Sequence, residues 1–281
     1  MTDVRIYVAT HQKCDDLLKI PYPYYIPIHC GKEIYEEAFK KYEYNYNKEG
    51  YLPELGDNTG DNISRKNLSY CELTAMYWIW KNDTSGPDDI VGLNHYRRYF
   101  ADPREEGDEK NIRFLSKENI IKSLKNYDFL VNGSDTESDY ECEENESVYK
   151  GYKDCHIIED LDITLEGMEK LYPEKYEILR KSIKNTGAMC VCNMLIARKK
   201  DFDKYCEFLF SILSYVEERI DLNDDKHEGY NGRVFGFLGE RILRPWMMAF
   251  KYKAKGEPPL DWDDYLISVN GKEKGEENVS V

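Results

Sequence analysis

The stretch from Asp88 to Phe100, D-D-I-V-G-L-N-H-Y-R-R-Y-F, decides the fold. Its apolar run, Ile90 to Leu93, has the length and the β-branched content of a buried strand. The run continues directly into polar and charged side chains, which are Asn94, His95, Tyr96, Arg97 and Arg98. Ligands of open α/β sheets bind outside the carboxyl ends of the strands, so the sequence predicts a ligand site here. An edge strand with solvated arginines and stacked tyrosines is the alternative interpretation.

The charge of the chain narrows the class of ligand. The net charge is −15, from 39 basic and 54 acidic side chains. This balance argues against a general nucleic-acid binder, because neutralising phosphates requires a basic face. Two adjacent arginines nevertheless suit an anion, since a guanidinium group can bind phosphate or carboxylate through two hydrogen bonds. We therefore expect a local basic pocket at Arg97 and Arg98.

Predicted strands and helices alternate along the chain. Buried strands are predicted at 5–9, 90–93, 127–131 and 188–197. Helices are predicted at 64–82, 116–126, 165–185, 202–222 and 233–250, with an interruption of the third near Pro173. This order predicts one α/β domain over residues 1–262, with a central, mostly parallel, twisted sheet flanked by helices. The charged residues 263–281 are predicted to form a disordered tail.

Composition also sets the expected compartment. The amino terminus has no charged region followed by an apolar run, and no 18 consecutive residues are apolar, so we expect a cytoplasmic protein without a transmembrane segment. The eight cysteines include no C-x-x-C pair, which favours free thiols over a zinc site. The 24 tyrosines suit stacking against sugars, although compositional bias explains them equally well.

Several ordered motifs resemble a bacterial family that was long described as a domain of unknown function and occurs in capsular and exopolysaccharide gene clusters. The motifs are I-Y-V-A-T-H at 6–11, N-I-S-x-K-N-x-x-Y-C-E-L-T-x-x-Y-W-I-W-K-N at 62–82, V-G-L-N-H-Y-R-R-Y-F at 91–100, E-D-L-D at 159–162, N-M-L-I at 193–196 and R-V-F-G-F-L-G-E-R at 233–241. The resemblance spans roughly residues 4 to 250. It implies a GT-A glycosyltransferase, with members associated with galactofuranose transfer.

The resemblance also implies the substrates. The donor is expected to be a UDP-sugar carrying a hexose, and the acceptor a growing saccharide, lipid-linked, of a capsule or exopolysaccharide. Such an acceptor brings a cytoplasmic enzyme to the inner face of the membrane. An acidic surface by itself binds anionic lipid poorly.

The chain departs from GT-A enzymes at one position that matters for chemistry. Those enzymes place an Asp-x-Asp motif, which holds a divalent metal on the donor diphosphate, at the end of a central strand. Here Asn94, His95 and Tyr96 stand in that place. Mg²⁺ and Mn²⁺ prefer carboxylate oxygens, so the substitution puts metal dependence in doubt and no metal ligand is assigned. Arg97 and Arg98 are the alternative source of positive charge for the departing diphosphate.

Donor-binding roles are predicted for residues at the ends of strands and at one helix start. The helix start contributes Asn62, Lys66 and Asn67, and the strand ends contribute Thr10, His11, Asn94, His95, Tyr96 and Arg97. His95 is read equally well as a donor to phosphate or as a satisfied core histidine. Asn193 interrupts the apolar run C-V-C-N-M-L-I, and it either braces the backbone or faces the ligand.

Catalytic roles are predicted for three residues. Arg98 stabilises the leaving group, and Glu240 is the first choice for the base that deprotonates the acceptor hydroxyl. The setting of Glu240, G-F-L-G-E-R, resembles the G-W-G-G-E-D segment of inverting galactosyltransferases. Asp160 is the second choice. Each carboxylate also has a structural interpretation, an ion pair with Arg241 or Arg244 for Glu240 and a helix cap for Asp160.

Other classes of protein fit the sequence less well. A non-catalytic carbohydrate-binding or assembly protein would keep the tyrosine-rich cleft without turning over a nucleotide sugar. A nucleotidyltransferase would need metal carboxylates or a glycine-rich phosphate loop, and neither G-x-x-x-x-G-K-[ST] nor G-x-G-x-x-G occurs. A hydrolase with paired carboxylates stays open, because 54 acidic residues make chance pairs common.

Overall fold

The computed structural model describes residues 2–11, 20, 22–35, 53–102, 113–133, 142–143, 146–257 and 259–261. The strands in these ranges are β1 (Val4–Thr10), β2 (Tyr25–His29), β3 (Ile90–His95), β4 (Arg98–Phe100), β5 (Phe129–Val131), β6 (Leu195–Arg198), β7 (Ala254–Gly256) and β8 (Pro259–Asp261). The α-helices with assigned bounds are α1 (Asn67–Tyr70), α2 (Leu73–Asn82), α3 (Lys117–Ser123), α4 (Val148–Cys155), α5 (Ile158–Leu171), α6 (Tyr176–Lys184), α7 (Lys199–Glu217) and α8 (Val234–Phe250).

The eight strands form one sheet whose main path has the order β2-β1-β3-β6-β5-β7. Of these six, only β6 runs against the others, since β1 is parallel to β2 and β3, and β5 is parallel to β7. β4 extends the sheet by pairing antiparallel with β3 and β8. The predicted mixed α/β fold with a mostly parallel central sheet is therefore confirmed.

A hydrophobic core lies on each face of the sheet. Alternate residues of β1 supply the two cores, because side chains of a strand point to opposite faces. Tyr7 and Ala9 join the core against helices α2, α7 and α8, whereas Ile6 and Val8 join the core that contains Tyr99 and Phe114. The site-bearing strands β1 and β3 are thus fixed between two packed layers.

Several predicted elements are confirmed, and three differ in extent. The predicted helix 64–82 is interrupted at Cys71, whose φ of 52° breaks it into a turn with α1 and then α2. The predicted strand 188–197 shortens to β6, because Cys192 and Asn193 both have positive φ. The predicted helical stretch 165–185 is interrupted near Pro173 as predicted, into α5 and α6, but α5 starts earlier, at Ile158.

The described residues leave two predictions open, the absence of a transmembrane segment and the position of the domain boundary. No helix in the described ranges is long and apolar enough to cross a bilayer. The predicted tail, 263–281, lies outside those ranges, so the boundary at residue 262 stays a prediction.

Candidate active site

The candidate site lies where β1 and β3 end side by side. The two strands are parallel, with Val8 opposite Asn94 and Ala9 opposite His95, so their carboxyl ends meet at one edge of the sheet. Two adjoining cavities open there, of about 790 Å³ and about 260 Å³. We call them the large and the small cavity. Both volumes suit parts of an extended polar ligand, and the large one is within the usual range for ligand pockets.

The large cavity is lined from three directions. Thr10 and His11 come from the end of β1, and Asn67 comes from α1. The third wall is the segment of two short 3-10 turns, Asp225–His227 and Gly229–Arg233. The site therefore combines a predicted strand end with the segment that connects α7 to α8.

The small cavity has an aromatic wall. The rings of His156 and Phe237 are stacked with centroids 4.1 Å apart, and those of Tyr230 and Phe237 are 4.8 Å apart. Tyr230 is 62% exposed, which leaves much of its ring available to a ligand. An apolar face beside charged groups is the usual environment for a sugar ring, which pairs its C–H face with an aromatic ring.

The charges that line the cavities are mainly positive, in contrast to the chain as a whole. Arg97 and Arg233 line both cavities, whereas Arg98 and Arg241 line the small one. Glu72 and Glu240 are the carboxylates among the described lining residues. An anion entering this cleft is met by guanidinium groups that match phosphate geometry.

His95 connects the two cavities and is neutral in the physiological range. Burial is the largest cause that lowers its pKa, and together with the positive charges of Arg97 and Arg98 it brings the pKa to about 3. Its Nδ1 has no hydrogen-bond partner within the described part of the chain. The ring of Tyr96 lies beside it, with centroids 4.6 Å apart. His95 is therefore a neutral imidazole that borders both cavities.

Two predicted donor-binding residues are placed behind the cavities. Asn94 is buried at 1% exposure, and neither polar atom of its side chain has a partner among the described residues. Asn193 is also buried, and its Nδ2 donates to Glu72 Oε1 at 2.8 Å and to the backbone oxygen of Gly236 at 3.0 Å. Asn193 therefore braces both a carboxylate and the start of α8.

Two other predicted donor-binding residues lie away from both cavities. Asn62 forms a local turn, since its Oδ1 accepts from the Ser64 amide at 3.1 Å and its Nδ2 donates to the Gly60 carbonyl. Lys66 pairs with Glu217 at 2.7 Å on a different groove. Of the predicted helix start, only Asn67 reaches the large cavity.

Glu240 lies in the small cavity, but both of its oxygens are engaged. Oε1 accepts from the backbone amide of Cys192 at 2.6 Å, and Oε2 accepts from Arg241 at 2.7 Å. The structural interpretation with Arg241 therefore describes its contacts in this structure. A carboxylate held this way positions the turn at Cys192 and the Arg241 guanidinium.

Asp160 reaches the large cavity only through His227. It is 3% exposed, and its Oδ1 lies 3.2 Å from Nε2 of His227, whose Nδ1 lies 2.7 Å from Asp224. Burial opposes the charged form of His227, yet the hydrogen bond to Asp224 and the charge of Asp160 raise its pKa. This pair of carboxylates secures the segment that carries Arg233 into the cleft.

Several site residues were absent from the sequence-based prediction. These are Cys71, Glu72, His156, His227, Tyr230, Arg233, Phe237 and Arg241. Five of them, Cys71, Glu72, Arg233, Phe237 and Arg241, stood inside quoted motifs, so the motifs themselves were the available signal. Among the described residues, no group of three His, Cys, Asp or Glu side chains is arranged as a metal-ligand set.

The fold and the cleft define this molecule as an α/β protein with an arginine-lined cleft at the carboxyl edge of its central sheet. The chain belongs to the family of the domain of unknown function DUF4422, whose model matches residues 5–252.

Solved structures extend the comparison. The apo structure of the bifunctional glycosyltransferase WbbM is similar over 92% of this chain, with 27% sequence identity and a TM-score of 0.71. This chain covers 45% of that protein, so it spans less than half of its length. The structure of a 4-diphosphocytidyl-2C-methyl-D-erythritol synthase from Anaerococcus prevotii aligns with 10% identity and a TM-score of 0.33. The alignment covers 97% of this chain and 96% of the synthase. No curated protein matches the chain significantly.

Proposed function

We propose that this protein is a glycosyltransferase that moves a hexose from a UDP-sugar to a saccharide acceptor. The observation that carries the proposal is the group of arginines, Arg97, Arg98 and Arg233, around adjoining cavities at the carboxyl ends of β1 and β3. The likeness to the glycosyltransferase WbbM, at 27% identity, supports the reaction class.

The two cavities divide the substrates by size and chemistry. The large cavity takes the nucleotide diphosphate, with Thr10 and His11 beside it and Arg97 and Arg233 facing the phosphates. The small cavity takes the acceptor sugar against the ring of Tyr230. The sugar to be transferred then lies at the junction, where bond breaking leaves negative charge next to the guanidinium groups.

The finer assignment follows the sequence resemblance. The transferred sugar is galactofuranose, and the acceptor is a lipid-linked chain of a capsular polysaccharide or exopolysaccharide. Arg97 and Arg98 supply the positive charge on the diphosphate, with Mg²⁺ or Mn²⁺ unnecessary for donor binding. A non-catalytic saccharide-binding protein is the competing function, since the aromatic wall of the small cavity also suits that role.

Titration with nucleotide sugars tests the function directly. Thermal shift and calorimetry are measured with UDP, UDP-galactose and UDP-galactofuranose, each with Mn²⁺ and with EDTA. A donor site raises the melting temperature with dose, and the expected binding persists in EDTA and weakens in Arg97→Ala. UDP release with an octyl galactoside acceptor separates the enzyme from a saccharide-binding protein. If none of the three ligands binds, the proposed donor is wrong.

A further inference from the structure

Glu72 occupies the junction of the two cavities. Five residues line both of them, namely Cys71, Glu72, His95, Arg97 and Arg233, and Glu72 is the one carboxylate in this set. A group at this position faces both the large and the small cavity. Any reaction between a ligand in one and a ligand in the other takes place beside it.

The backbone around Glu72 is held in an unusual conformation. Cys71, which precedes it, has φ 52° and ψ −132°, a region that residues other than glycine rarely adopt. The conformation is secured by Asn67, whose Nδ2 donates to the Cys71 carbonyl at 2.7 Å, and by Arg233, whose Nε donates to the Cys71 sulfur at 3.3 Å. This turn separates α1 from α2 and directs the Glu72 side chain into the cleft.

The Glu72 carboxylate is anchored by the side chain of Asn193. Asn193 Nδ2 donates to Oε1 at 2.8 Å, and the backbone amide of Glu72 itself adds a hydrogen bond to the same carboxylate. Asn193 itself has φ 49°, so a second non-glycine residue in the left-handed region supports the same contact. Asn193 is thus the one side chain among the described residues that holds the Glu72 carboxylate, whereas both oxygens of Glu240 are engaged by other residues.

The electrostatics of the junction suit proton transfer. Burial raises the pKa of Glu72, the hydrogen bond from Asn193 lowers it in part, and the charges of Glu240 and Arg233 act in opposite directions. A carboxylate with a raised pKa is a stronger base than an exposed one. His95, the other titratable group at the junction with a free nitrogen, has a pKa of about 3 and holds a proton poorly.

We propose that Glu72 is the catalytic base that deprotonates the acceptor hydroxyl, in place of Glu240 or Asp160. This assignment rests on the proposed glycosyl transfer. Glu72 takes the proton of the acceptor O–H, and the acceptor oxygen forms the new bond to the anomeric carbon. The bond from that carbon to the phosphate oxygen breaks, and the nucleoside diphosphate leaves with its electron pair beside Arg97 and Arg233. Attack and departure on opposite faces invert the anomeric configuration.

The test compares Glu72→Gln with wild type and with Glu207→Gln. A glutamine oxygen still accepts from Asn193, so Glu72→Gln removes the basic function and retains the anchor. Glu207 lies on an exposed position of α7 and provides the same chemical change away from the junction. For all three proteins, donor affinity is measured by calorimetry and kcat by UDP release, with UDP-galactofuranose and octyl galactoside as probes.

The expected result is a kcat that falls about 100-fold or more in Glu72→Gln, with donor affinity and melting temperature unchanged and Glu207→Gln equal to wild type. Formate added to Glu72→Ala restores turnover by acting as a substitute base, an effect that a structural role does not produce. If Glu72→Gln keeps the wild-type kcat, or if the product retains the anomeric configuration of the donor, Glu72 is not the base. Donor binding and transfer by the wild type would still support the glycosyltransferase. A wild type that binds no nucleotide sugar overturns both.

Discussion

Asn193 and Glu72, which are 121 residues apart in the chain, are joined by a hydrogen bond of 2.8 Å beneath the candidate active site. Asn193 adopts φ 49°, and its Nδ2 also donates to the carbonyl of Gly236 at 3.0 Å. The bond therefore links the start of α2 and the start of α8 to the turn before β6. It also favours the ionised form of Glu72, because a donor stabilises the carboxylate more than the protonated acid.

Asn193→Gly is expected to raise the pKa of Glu72 without strain, since glycine accepts positive φ. If Glu72 is the base, the acidic limb of the kcat/KM profile moves to higher pH, because the base becomes protonated sooner as the pH falls. Lys251→Gly is the matched control, as Lys251 is exposed and also has positive φ, at 62°. An acidic limb that does not move in Asn193→Gly contradicts this coupling.

Arg97→Ala is expected to weaken donor binding by about 10- to 100-fold, since a hydrogen bond to a charged group contributes about 1.5–3 kcal/mol. Arg97 lines both cavities and is exposed, so its loss leaves the packed core intact. Calorimetry with UDP measures the change. Arg180→Ala serves as control, because Arg180 is a surface residue paired with Glu177. Equal UDP affinity in Arg97→Ala and wild type would show that this guanidinium does not contact the diphosphate.

Arg98→Ala is expected to abolish transfer while the fold stays intact. Arg98 lines the small cavity and lies at the start of β4, close to the junction where the proposed reaction leaves negative charge. Its role in the transition state predicts a loss in kcat rather than in donor affinity. Single-turnover release of UDP measures this step, and circular dichroism checks the fold. Turnover at the wild-type rate removes Arg98 from the mechanism.

Tyr230→Ala is expected to raise the KM for the acceptor several-fold, because it removes an exposed ring that packs against Phe237 in the wall of the small cavity. Donor affinity should be unchanged, as Tyr230 does not line the large cavity. Tyr230→Phe retains the ring and should behave as wild type. The reverse pattern, an unchanged acceptor KM with weaker donor binding, would mean that the two cavities are assigned the wrong way round.

The apolar run at Ile90 to Leu93 was sufficient to predict the central strand and the position of the cleft. The reason is physical: a strand buried on both faces must be continuously apolar, and its polar continuation then emerges at the carboxyl end. His95, Arg97 and Arg98 consequently lie at the cavities where the sequence placed them. That these three residues bind a sugar donor is still a prediction.

Glu72 could not be found in the same way, because its position depends on contacts that are distant in sequence. The stretch 64–82 has helical periodicity, and a continuous helix would give Glu72 no special direction. The break arises at Cys71, where a cysteine adopts the positive φ usually reserved for glycine or asparagine. Bonds from Asn67 and Arg233 hold that turn, and the second partner is 162 residues away from Cys71.

The stability of the protein is expected to fall as the pH drops below about 6.5. Burial is the largest cause that lowers the pKa of His29, His95 and His156, to about 4, 3 and 4 respectively. These groups bind protons in the unfolded state at a pH where the folded state does not, so their stabilisation is full above the unfolded pKa and is lost as the pH falls through the folded pKa. His227 has the opposite sign, because its pKa is raised.

His95→Gln should make the free energy of unfolding depend less steeply on pH. One proton taken up on unfolding corresponds to about 1.4 kcal/mol per pH unit, and His95 contributes it between its folded pKa of about 3 and the ordinary value of 6.5. Urea unfolding at pH 7.5, 6 and 5 measures the slope for wild type and variant. Identical slopes in the two proteins would show that His95 takes up its proton in the folded state.

Gly92→Ala is expected to destabilise the fold by about 1–3 kcal/mol, the usual cost of overpacking a core. A Cβ at Gly92 would lie 2.7 Å from Ile196 Cγ1 and 2.9 Å from the backbone oxygen of Leu195, so β3 and β6 would have to separate. Gly151→Ala makes the same chemical change in α4, where a Cβ meets nothing within 4 Å. That variant should gain about 0.5–1 kcal/mol, because glycine is unfavourable inside a helix. Urea denaturation measures both free energies of unfolding. If Gly92→Ala is as stable as the wild type, β3 and β6 can separate without loss of packing, and the prediction is wrong.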